Sequence, residues 1–77
     1  MKEKDIEKAL DSIIAQLVKI RKERGISHEQ MTKLTNLSRT AISYTESRKS
    51  TPSIATCLKL CDALDVKLSD LLKKDGF

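Results

Sequence analysis

Hydrophobic residues recur three and four positions apart along almost the whole 77-residue chain, and the β-branched runs bounded by turn pairs that mark hairpins are missing. That spacing constrains the chain to an all-α fold. Tyr44 and Phe77 are its only aromatic residues, so the core has to be aliphatic. At 8.7 kDa the chain is near the lower limit at which a core forms without disulfides, metal or a second subunit, and a large active-site cleft is not expected.

Five helices are predicted. The first has Asp5 as N-cap, an apolar face of Ile6, Leu10, Ile13, Ile14, Leu17, Val18 and Ile20, a basic last turn, and Gly25 as its stop. Ser27 caps the second, about His28 to Thr35, with Gln30 completing a capping box and Met31 and Leu34 as its buried positions. Asn36 breaks that helix in a left-handed conformation, and Leu37 packs inward at the turn. Ser38 caps the third helix, Arg39 to about Ser47, with Ala41, Ile42 and Thr45 facing in. After a basic loop, Pro52 holds Thr51 extended and Ser53 caps a fourth helix carrying Ile54, Cys57, Leu58, Cys61 and Leu64 on one stripe, with Leu60 beside it. Leu68 anchors the connection to a last short helix, Ser69 to about Lys74, through Leu71 and Leu72. The whole of residues 1–77 reads as one domain.

Cys57 and Cys61 stand one helical turn apart in an apolar stretch, where a disulfide would strain its geometry, so they read as reduced core thiols. One histidine and a C-x-x-x-C spacing match no common structural zinc pattern; no metal and no other cofactor is expected. No stretch approaches the roughly 18 apolar residues of a membrane span, and MKEKDIEKALD is charged where a signal peptide is hydrophobic. The expectation is a soluble cytoplasmic protein with no membrane partner. An enzyme is disfavoured, since His28 with Ser27 as its only nearby hydroxyl makes no triad and no glycine-rich phosphate loop exists.

The formal charge of +4 only permits a polyanionic partner, but its distribution is uneven. Residues 19–49 hold eight lysines and arginines against three glutamates, a net +5, which leaves −1 for the remainder. A solvated scatter of basic side chains would give the same count, so charge alone leaves the partner open.

The string GISHEQMTKLTNLSRTAISYTESRKSTPSIATCLKLCDALDV, Gly25 to Val66, resembles the Cro and phage-repressor-like helix-turn-helix family of bacterial and phage DNA-binding proteins. The pattern runs from the glycine and capping serine through Met31, L-T-N-L-S at the turn, S-R-T-A-I-S, Glu46, and a basic loop closed by Pro52-Ser53. The resemblance implies a compact five-helix lambda-repressor-like domain with its motif at helices two and three, about residues 28–47. It departs from the family at His28 (usually glutamine), Thr32 (usually alanine), Asn36 (usually glycine at the turn) and Arg48 (usually glycine). Thr32 adds bulk and a hydroxyl that must be satisfied; His28 still donates to phosphate, with pH sensitivity.

By the same resemblance Arg39, Thr40, Ser43 and Tyr44 face base edges. The fork of Arg39 suits O6 and N7 of a guanine, with a solvated or phosphate-bound arginine as its alternative. Tyr44 has two readings: a contact to base or phosphate, or a partly buried ring covering the motif. Phosphate contacts are expected from His28, Glu29, Ser38, Arg48, Lys49 and Ser50, the first two through their amides. Arg21 and Glu46 are implied to form a structural ion pair.

The resemblance implies a double-stranded, pseudo-palindromic DNA operator read by a homodimer. The dimer contact is expected at helix five with Leu68, Leu71 and Leu72, or at Ile6, Leu10, Ile14 and Val18 of helix one, though both sets could be intramolecular core. The chain ending at Phe77 leaves no room for a ligand-binding domain, so no small-molecule ligand is expected. The expected function is that of a small repressor or autoregulator. A restriction-modification controller and an antitoxin-type regulator compete with it, and so does a protein-interaction module that reads no DNA.

Overall fold

Each of the three internal helices begins at a serine. In the computed structural model, which describes residues 1–74 and 76, the helices are α1 (Glu3–Glu23), α2 (His28–Thr35), α3 (Arg39–Glu46), α4 (Ile54–Ala63) and α5 (Leu68–Lys73), with no strand among the described residues. The hydroxyls of Ser27, Ser38 and Ser53 accept from the amides of Gln30 (3.2 Å), Ala41 (3.0 Å) and Thr56 (3.1 Å). The Gln30 side chain accepts from the Ser27 amide at 2.8 Å, closing the capping box. α1 starts without such a cap: Lys2 rather than Asp5 holds the N-cap position, and Asp5 sits in the first turn, where its charge opposes the positive helix end.

The first four helices all run out into a left-handed residue: Gly25, Asn36, Arg48 and Asp65, with φ of 68°, 61°, 59° and 54°. At Gly25, Arg48 and Asp65 the next amide reaches back to the carbonyl five residues earlier, Ile26 to Arg21 (3.0 Å), Lys49 to Tyr44 (2.9 Å) and Val66 to Cys61 (2.9 Å). This is the Schellman closure, which satisfies carbonyls that a helix end leaves open. Glycine and asparagine advertise that conformation, and aspartate does so weakly. Arginine does not.

Arg48 is held there by α1. Its Nη2 donates to Glu7 Oε2 at 2.6 Å and its Nε to Asp11 Oδ1 at 2.8 Å, so the guanidinium fastens the outer half of α1 to the end of α3. A left-handed non-glycine residue costs about 1 to 2 kcal/mol, and exposed or half-exposed ion pairs return under about 1 kcal/mol each, so the two nearly balance. Arg48→Gly is therefore expected to unfold in urea close to wild type. Arg48→Ala, which keeps the strain and loses the pairs, should be about 1 kcal/mol less stable than the glycine variant; equal midpoints for the two would contradict this account.

The core joins Ile13, Ile14 and Leu17 of α1 to Met31, Ile42, Leu60, Cys61, Leu64 and Leu71, with Met31, Ile42 and Leu64 fully enclosed. Burial of each such side chain contributes roughly 1.5 to 3 kcal/mol. α2 packs on α3 and α4, while α1 packs on α3 and α5. The radius of gyration, 11.9 Å, is close to the roughly 11.5 Å of a closely packed chain of this length.

Packing phase corrects several sequence expectations. Leu34 is 57% exposed, and Thr35 points inward instead, one turn after Met31. Thr35 tolerates the position because its hydroxyl donates to the Met31 carbonyl (2.6 Å) and accepts from the Leu37 amide (3.2 Å). On α4 the buried stripe is Cys57, Leu60, Cys61 and Leu64, leaving Ile54 and Leu58 at the surface, 66% and 51% exposed. α5 starts at Leu68 with Lys67 before it, so Ser69 is the helix's second residue rather than its first. Ile14 and Leu71, offered above as dimer contacts, lie in the core, and Val18, Leu68 and Leu72 pack partly buried against it. Burial pushes the Cys57 and Cys61 thiols up from their ordinary range, as suits core sulfurs. Phe77 lies outside the described residues.

Candidate nucleic-acid interface

α3 buries Ile42 and Thr45, which turns Arg39, Thr40, Ser43 and Tyr44 to the opposite, exposed side. These four side chains, together with His28 of α2, line one shallow open concavity. An eight-residue helix is about 12 Å long and side chains at i, i+1, i+4 and i+5 share a face, so the array is a narrow, polar, positively charged ridge. Lys49 lies beside it with its ammonium 5.4 Å from the centre of the Tyr44 ring, and Tyr44 is 46% exposed.

The N-termini of α2 and α3 open on solvent. Among the described residues no group accepts from the amides of His28 and Glu29 or of Arg39 and Thr40, while Ser27 and Ser38 satisfy the amides one step further in. Such amide pairs carry the partial positive charge of a helix end and suit an anionic oxygen. Glu29, Ser38, Lys49 and Ser50 are exposed around these ends. Arg48 stands among them in the sequence but turns its guanidinium away toward Glu7 and Asp11.

One carboxylate holds the assembly behind the ridge. Glu46 Oε2 accepts from Arg21 Nε at 2.7 Å and Glu46 Oε1 from Arg21 Nη2 at 2.9 Å, while Arg21 Nη1 donates to the Ile26 carbonyl at 2.8 Å. His28 Nε2 lies 2.9 Å from the same Oε1. Burial by itself pushes the Glu46 carboxyl up, but the hydrogen bonds and charges of Arg21 and His28 outweigh it and hold the group below its ordinary value. The hydroxyl of Thr32 donates to the His28 carbonyl at 3.0 Å, which satisfies it inside α2.

A helix-turn-helix family model matches residues 17–71, well over half of the chain. The chain belongs to the Cro/C1-type helix-turn-helix family. No curated protein matches it significantly. The family is one of DNA-binding regulators, and the five helices are a lambda-repressor-like domain in which α2 and α3 form the helix-turn-helix. No helix of the described residues is long and apolar enough to cross a membrane. The matched segment starts inside α1, so Glu7 and Asp11 belong to the stretch that precedes it.

Apart from Arg21 with Glu46, which the resemblance implied, sequence reasoning missed the charged partners rather than the elements. Glu7 and Asp11 are four apart on one helix face, a spacing visible in the sequence, but nothing local says that Arg48 lies across from them. The contact between His28 and Glu46 was missed for the same reason.

Proposed function

We propose that this protein is a small transcriptional regulator that binds double-stranded DNA sequence-specifically, laying α3 in the major groove. The observation that carries the reading is the single concavity shared by Arg39, Thr40, Ser43, Tyr44 and His28 on the exposed side of the helix-turn-helix. The major groove is about 12 Å wide and admits such a helix. Arg39 then pairs with a guanine edge, Thr40 and Ser43 bond or touch adjacent bases, and Tyr44 covers a base or a backbone sugar. Lys49, Ser50, Ser38 and the amides of His28 and Glu29 position the domain on phosphates. One such helix covers little DNA, so the functional unit is a homodimer on a pseudo-palindromic operator with half-sites about 34 Å apart. Repression or autoregulation by occupying an operator is the favoured role, ahead of a restriction-modification controller or an antitoxin.

Selection of bound duplexes from a random pool tests this. Wild type should enrich a two-fold-related sequence with a guanine in each half-site. Arg39→Ala should lose preference at that one position, at a cost of about 1 to 3 kcal/mol, and Lys49→Ala should weaken binding to all sequences alike. If no sequence is enriched at low salt, the protein-interaction reading takes its place.

A further inference from the structure

His28 faces two ways. Its ring helps to line the concavity beside Arg39, Thr40, Ser43 and Tyr44, and its Nε2 lies 2.9 Å from the Glu46 oxygen that also accepts from Arg21. Through that oxygen three helices meet: α1 by Arg21, α2 by His28 and α3 by Glu46. Given the DNA-binding reading above, on which this rests, we propose that His28 is a positioning residue of the DNA-facing surface. It is a proton-dependent tie between the start of α2 and the end of α3, and it makes DNA affinity rise as the pH falls.

The physical reason lies in what the ring does in each state. A neutral imidazole donates to Glu46 only in the tautomer that protonates Nε2; in the other tautomer a lone pair confronts the carboxylate. The imidazolium donates in every case, and with a charge-assisted bond. Protonation therefore locks the first turn of α2, with its open amides, against the recognition helix. Histidine is the side chain whose charge ordinarily changes between about pH 5 and 8.

The surrounding charges determine how DNA enters. The carboxylate of Glu46 on α3 faces the ring, the guanidiniums of Arg39 on α3 and Arg21 on α1 and the phenol of Tyr44 on α3 stand around it, and the acidic Glu29 on α2 itself is exposed. With Arg21 already paired to Glu46, a second cation next to Arg39 leaves the free protein with an unmatched positive charge. A phosphate arriving at the helix end removes that penalty. Proton and DNA then favour each other's binding, and linkage makes the effect reciprocal.

The chain has a single histidine, so ring resonances in a ¹⁵N NMR titration belong to His28 alone. The expected result is a titration midpoint that moves to higher pH when a duplex from the selection is added. In parallel, fluorescence anisotropy with that duplex at constant ionic strength should show wild-type affinity rising at least about fivefold from pH 8 to pH 6, the lower end of ordinary coupling between sites. His28→Gln keeps a donor without a titrating charge and should flatten the profile. His28→Ala should flatten it as well and weaken binding at every pH. A midpoint that ignores DNA, or a His28→Gln profile as steep as wild type, would overturn the proposal while leaving the DNA reading intact. Failure of wild type to bind any duplex at any pH would overturn both.

Discussion

Replacing Glu46 with alanine is expected to destabilise the domain by about 3 to 5 kcal/mol, the range found when one member of a buried ion pair is removed. The Arg21 side chain is 10% exposed and would be left with the Ile26 carbonyl as its remaining partner, a guanidinium in a poorly hydrated site. A domain of this length has roughly 4 to 12 kcal/mol in total, so the variant should be partly unfolded at room temperature or melt far below wild type. Urea unfolding measures the loss directly, and a cost under about 1 kcal/mol would mean that the pair behaves as an exposed one. A double-mutant cycle with Arg21→Met should show strong coupling, because the second change removes the stranded cation.

The same carboxylate leaves a mark in acid. Its folded-state value is below the ordinary 4.5, so the stability it contributes is complete above that value and is lost as the pH falls through the lower, folded one. Wild type should therefore show a decline in urea midpoint beginning below about pH 4.5 that is reduced in Glu46→Gln.

For DNA, affinity is expected to fall by roughly 10³ to 10⁵ between 50 and 200 mM salt if a dimer neutralises about 6 to 10 phosphates. The structure argues for the lower end. Arg48, one of the basic residues between 19 and 49, already faces Glu7 and Asp11, whereas Arg39 on the ridge and Lys49 beside it are exposed. Freeing Arg48 with Glu7→Gln and Asp11→Asn together should steepen the slope of log K against log salt by up to about 2 per dimer, one phosphate for each released guanidinium. A salt response that stays flat in wild type would count against an interface built on phosphate contacts.

Much of the fold was legible because its signals are local. Ser27 with Gln30, Ser38, Ser53, Gly25 and Asn36 act within four residues of themselves, and all hold the places their chemistry suggests. The errors lie where two local solutions are nearly equal. In an eight-residue helix, a spacing of three and a spacing of four from Met31 are both helical, and hydrophobicity alone selects Leu34 over Thr35. The structure selects Thr35, which is buried, because its hydroxyl bonds within the turn. Ile54 and Leu58 went the same way: the stripe on α4 is turned toward Leu60, and the two strongest-looking apolar residues of its first half remain outside.

The sequence by itself determined five helices, their serine starts, two of their left-handed ends, and the family pattern that sets the helix-turn-helix at α2 and α3. The resemblance also implied that Glu46 meets Arg21, 25 residues away. Only the tertiary structure decided the other charged contacts: His28 reaches Glu46 from 18 residues away, and Arg48 finds Asp11 and Glu7 at 37 and 41. Capping and periodicity act through bonds that close within one turn. Ion pairs across helices depend on the angle and phase at which whole elements pack, and those are set by the packing of the core.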